Sequence, residues 1–185
     1  MEAVEAYKYL GLVYFAVIWA AMLYSLGRKP HDKTKSVSRH VATYRETFIM
    51  FAVVRTVALP LWILFAFGWL VPVLDLPLIA SVLFAAGVGA EMISAWVPAV
   101  EGRKGKIHSL SALLVAAMYI PLSFLFALSP DVSGLARTII WADILAMIIL
   151  GVLFMVREKT KEYYLYFQLA YFILFDTAFL SAAFL

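Results

Sequence analysis

The sequence predicts an all-α, polytopic integral membrane protein: one domain, residues 1–185, in which a six-transmembrane-helix bundle places both chain ends outside (N-out/C-out). Three observations carry that prediction. Of the 185 residues 65% are hydrophobic and only 15% charged, with a mean hydropathy of +0.93, whereas soluble domains are roughly half apolar. Six apolar stretches each reach the ~20 residues that a spanning helix requires. Basic residues gather in alternate loops, as expected where Lys and Arg are retained on the cytoplasmic side.

The spans are Tyr9 to Gly27, Glu46 to Leu70, Leu76 to Pro98, Ile107 to Leu128, Ala136 to Val156 and Tyr163 to Leu185. Their unbroken apolar runs lack period-2 alternation, and helices satisfy every backbone group within the segment. The first is preceded by Glu2 and Glu5 and followed by Arg28, Lys29, Lys33, Lys35, Arg39 and Arg45. That order sets the N-terminus outside and is the reverse of a cleaved signal peptide. The loop from Arg28 to Arg45, which also holds His31, Ser36, Ser38 and His40, reads as a solvated, topology-setting connection or as a polybasic segment against anionic lipid headgroups. Thr43 and Glu46 form a capping-box pattern before the second span.

Pro60 interrupts the second span and Pro121 the fourth, each removing one backbone donor. Pro72 and Pro77 bracket Asp75 in the next turn, and Ser129-Pro130-Asp131 closes the fourth span. Trp62, Trp69, Trp96, Tyr163, Tyr164 and Tyr166 are expected to be interfacial anchors. In the third span Gly87, Glu91, Ser94 and Ala95 share a helical face of mostly small residues, suited to a neighbouring helix or to a second copy in a homo-oligomer. Arg103, Lys104 and Lys106 follow this span, and Arg157, Lys159 and Lys161 follow the fifth; only Lys8 and Arg137 lie on the opposite side. Topology accounts for these bases without nucleic acid as a partner; the lipid bilayer is the expected one, in the cell membrane.

Four ionisable residues lie within the spans: Arg55, Glu91, Asp143 and Asp176. Charges in hydrocarbon are costly unless paired, protonated or wetted, so they mark a bundle interior or a pathway. Arg55 lies ~15 Å from its inner boundary and Glu91 about as far from its own, at 1.5 Å per residue. The two are expected to meet, as a structural ion pair or as an anion or headgroup site with Glu91 holding the guanidinium. Asp143 and Asp176 fall roughly 9 and 14 Å from the outer boundary, either close enough to share a proton or cation or bonded separately to neighbouring helices. His108, at the inner start of the fourth span, is a binding candidate, by headgroup contact or hydrogen bonding.

No cofactor is expected. The chain has no Cys, no second His at membrane depth for a haem or zinc site, no central Lys for a Schiff base, and neither a serine motif nor a phosphate loop. The residues leave three functional classes open: binding or transport of a small polar solute, ion or lipid headgroup through a polar bundle interior; a structural or assembly protein whose charges only pair helices; and a lipid-modifying enzyme using His108 near Glu91 or Glu101.

The stretch Gly105-Lys106-Ile107-His108-Ser109-Leu110-Ser111-Ala112-Leu113, with Pro121-Leu122, Ser129-Pro130 and Arg137 after it, resembles the histidine-led fourth span of the bacterial and archaeal six-span family catalogued as domain of unknown function 998. That family has the Frag1/DRAM/Sfk1 membrane proteins, some of them tied to lipid handling, as remote kin. The resemblance implies the six-span layout and singles out His108. It supplies no reaction.

Overall fold

The structure, a computed structural model, describes residues 2–28, 32–156 and 162–185, without the side chains of 2–4 and 154–156. Lys29, His31, Arg157, Lys159 and Lys161, which entered the charge pattern, lie outside the described residues. In chain order the elements are α1 (Glu2–Gly27), α2 (Val37–Thr43), α3 (Arg45–Phe65), a π-turn (Ala66–Leu70), α4 (Val71–Val73), α5 (Leu78–Trp96), α6 (Arg103–Leu128), α7 (Gly134–Val156) and α8 (Tyr164–Phe184). Among the described residues there is no strand, and six helices are long and apolar enough to cross a membrane.

These six pack as three close pairs: α1 on α3, α5 on α6, and α7 on α8. The α6–α7 contact joins the second and third pairs, while α3 and α5 touch less and α1 meets α8. Glycine permits the closest approach. A Cβ on Gly11 would meet the Phe65 ring at 2.8 Å, and one on Gly68, in the π-turn, would meet Tyr7 at 2.9 Å. At the π-turn the Val71 N–H reaches back to Ala66 O, five residues earlier, so the wider ring carries this span into α4.

Both prolines sit at exposed positions in helices that continue past them. One turn below Pro121, Ala116 O accepts the Tyr171 hydroxyl at 2.8 Å. Asp75 adopts φ 44°, a left-handed conformation that Asp tolerates better than most residues, and Pro77 leads into α5. Ser129 ends α6 as expected, and its hydroxyl donates to Leu74 O across the turn at 2.9 Å.

Three expectations are corrected. The Thr43–Glu46 box does not form, because Thr43 Oγ1 donates back to Arg39 O within α2 and Tyr44 caps α3 without a side-chain bond. The loop from Arg28 to Arg45 is not simply solvated: Ser36 caps α2, Val37 and Val41 are buried, and Val37 N donates to Gln168 Oε1 on α8. Trp62 and Trp69 are core residues, 4% and 5% exposed. Trp62 stacks on Tyr14 and packs against Phe84 and Phe179, since a bundle interior takes large rings as readily as an interface does. Trp96, Tyr163 and Tyr166 remain exposed.

Candidate functional site

Arg55 and Glu91 face each other from α3 and α5, a less closely packed pair than α1 with α3 or α5 with α6. Arg55 Nη2 and Nε donate to Glu91 Oε1 at 2.7 and 3.1 Å, and the Tyr14 hydroxyl donates to the same oxygen at 2.6 Å. Ser94 Oγ lies 3.5 Å from Arg55 Nη1, and the guanidinium sits 5.5 Å from the centre of the Phe51 ring. The ion pair anticipated from equal depth is therefore present, with a tyrosine as third member. Gly87, Glu91, Ser94 and Ala95 are all buried. A Cβ on Gly87 would nonetheless meet nothing within 4 Å, so no neighbouring backbone lies against this glycine.

The bundle interior holds a cavity of about 80 Å³, walled by α1, α2, α3, α5, α6 and α8. At a water's ~30 Å³ share of liquid volume it has room for roughly two or three water molecules. Arg55, Glu91 and Asp176 all line it, with Ser38 of α2 at the end where the basic loops gather. Aromatic rings make up just over half of the lining residues, among them Trp19, Trp62, Tyr119 and Phe175.

Asp176 accepts the Trp19 indole N–H on Oδ2. Its place in this cavity corrects the division into an inner and an outer pair of charges. It is the thirteenth residue of α8 counted from Tyr164, close enough to mid-span to reach the level of Arg55. Asp143 takes no part: it is 7% exposed, is absent from the cavity wall, and its Oδ2 has no hydrogen-bond partner. Asp176 lines the cavity and Asp143 does not, so the two carboxylates do not share a site.

His108 is also apart. It is buried, and its Nδ1 lies 2.7 Å from Val97 O, tying the end of α5 to the start of α6. Gly105 has a reason of its own, because the connection folds back so that Val100 O occupies the position a Cβ would take.

Residues not anticipated are Tyr14, Trp19, Tyr119 and Ser38. The signal for two of them was in α1, where Tyr14, Phe15, Ile18, Trp19 and Met22 follow helical spacing and all line the cavity. On α8, Phe172, Phe175 and Asp176 do the same. The chain matches no family model, no curated protein and no solved structure.

Proposed function

We propose that the chain is a multi-pass cell-membrane protein, N-out and C-out, that binds or transports a small polar solute, ion or lipid headgroup in its bundle interior, with the basic end on the inner side. The observation that supports this reading is the convergence of Arg55, Glu91 and Asp176 on one cavity. Charges used only to lock helices do not need shared space; charges that take a solute do. Ser38 and the docked α2 put the nearest polar surface at the basic end, so the solute would exchange with the inner side. The relationship to the six-span family is part of the same proposal and rests on the stretch from Gly105 to Leu113.

The test is a thermal-unfolding screen of the reconstituted protein against small cations, anions, zwitterions and neutral polyols. A solute that raises the midpoint in the natural protein but not in Arg55→Leu/Glu91→Leu or Asp176→Asn supports the site. Indifference to every class, with the same variants only destabilised, would leave the assembly reading. That second reading draws on the direct Arg55–Glu91 bonds. The enzyme reading would need His108 beside a carboxylate, whereas its Nδ1 faces Val97 O.

A further inference from the structure

We propose that the solute is a small organic cation, held by Asp176 and the surrounding rings in exchange for a proton on that carboxylate. This rests on the cavity being a solute site.

The charge count comes first. Arg55 contributes +1, Glu91 and Asp176 contribute −1 each, so with all three ionised the cavity carries −1. Arg55 is already engaged by Glu91 through two N–H groups. An incoming anion would have to displace that carboxylate and then lie against both it and Asp176. The surplus sits on Asp176, whose one described partner is the uncharged Trp19 indole. A half-buried carboxylate inside an apolar bundle, left in that state, is neutralised by a proton or by a cation, so the two compete for one oxygen pair.

Among the described residues that line the cavity with Asp176, the one cation is Arg55 from α3, and it is paired with Glu91 from α5. The other polar ones are Tyr14 from α1, Ser38 from α2 and Tyr119 from α6; Asp143 of α7 lies outside the cavity, and Tyr171 of α8 donates its hydroxyl to Ala116 O.

The wall chemistry distinguishes among cations. A hard metal ion takes six or more oxygens, and among the described residues no three metal-ligating groups come together. Aromatic faces attract an ammonium ion, most strongly where water is excluded. Trp19, Trp62, Tyr119 and Phe175 line the cavity with the acidic group, Trp19 presenting its N–H edge to it. A volume of about 80 Å³ suits an ammonium bearing a few methyl groups. In the exchange the Asp176 O–H bond breaks, its proton passes to water, and the ammonium takes its place as counter-ion with no other bond changed.

The experiment is calorimetric titration of the full chain in lipid nanodiscs with methylammonium and tetramethylammonium, repeated in buffers of different ionisation enthalpy, which counts protons. Acetate, inorganic phosphate and glycine betaine are titrated in parallel. Expected is release of about one proton per ammonium bound, and an affinity that rises roughly tenfold per pH unit while Asp176 is protonated. Asp176→Asn should lose the proton release and weaken binding at least about tenfold, and Asp176→Glu should keep the release. Ammonium binding without proton release overturns the exchange. Binding of acetate, phosphate or betaine in preference to the ammonium ions overturns the cation assignment and leaves the solute site standing. No heat with any probe overturns both. If Asp176→Asn does not fold, the proton count on the natural protein still decides.

Discussion

Removing the carboxylate of Glu91 should be the most damaging single change in the bundle interior. The Glu91 and Arg55 side chains are 7% and 18% exposed, and Oε1 receives two N–H groups from Arg55 and the Tyr14 hydroxyl. Glu91→Leu leaves those donors without their acceptor and the guanidinium with only Ser94 Oγ at 3.5 Å and the Phe51 ring. Breaking one side of a buried pair costs about 3–5 kcal/mol, on the order of a hundred- to several-thousand-fold in the unfolding equilibrium. Arg55→Leu should cost a similar amount. Tyr14→Phe, which removes one hydrogen bond to a charged acceptor, should cost about 1.5–3 kcal/mol.

The double variant Arg55→Leu/Glu91→Leu removes both charges from the bundle interior, and apolar replacement of a whole buried pair is often neutral or better. It should return to within about 2 kcal/mol of the natural protein, so the coupling is large. The assay is reversible unfolding of all four proteins in bicelles, read by steric trapping. Losses that add to within about 0.5 kcal/mol would show that the two residues do not depend on each other, and the pairing would have to be abandoned as a source of stability.

Further outcomes follow from other parts of the molecule. Gly11→Ala should destabilise by about 1–3 kcal/mol, because the Phe65 ring it meets is fully buried and overpacking forces a shift; unchanged denaturation would mean the ring can move aside. Asp143→Asn should leave stability level or raise it, since Oδ2 has no partner to lose, and a marked loss would reveal a bond to the carboxylate. In the loop before α2, the Thr34 hydroxyl and amide both donate to Asp32 Oδ1 and hold its carboxyl below the ordinary value of 3.8. The contribution is present above the unfolded pKa and lost as pH falls through the lower folded one. NMR titration should therefore show the Thr34 amide losing its hydrogen bond at a lower pH than an ordinary Asp titrates, and a normal Asp titration would refute that. Single cysteines at Lys104 and Lys159 should resist impermeant thiol reagents in intact cells while one at Glu2 is labelled; the opposite pattern inverts the orientation.

The spans were legible because hydropathy and length act on whole segments, and the Arg55–Glu91 contact because two opposite charges at one depth have few alternatives. Helix ends were less so. Thr43 satisfied a three-residue pattern, but its hydroxyl found Arg39 O on its own helix first, a local competition that spacing does not reveal. Trp62 and Trp69 carry the same side chain as an interfacial anchor, and only their helical phase against α1 and α8 sends them inward. The shared cavity was hidden for a different reason: it depends on α8 lying beside α1, a pairing that no single segment encodes. Depth counted from loop boundaries set Asp176 apart from Arg55, when the difference is small compared with the reach of side chains across an open interior.

The Trp19–Asp176 contact joins residues 157 positions apart, which gives the bundle an order of assembly. Chains are made from the N-terminus, so α1, α3 and α5 meet while α8 has yet to be synthesised. That early group is already electrically balanced, because Arg55 and Glu91 cancel. Asp176 is supplied later, by α8, and among the described residues that line the cavity the one base, Arg55, is already paired with Glu91. The wall that α8 contributes, Phe172, Phe175 and Asp176, is therefore made after every other residue that lines the cavity.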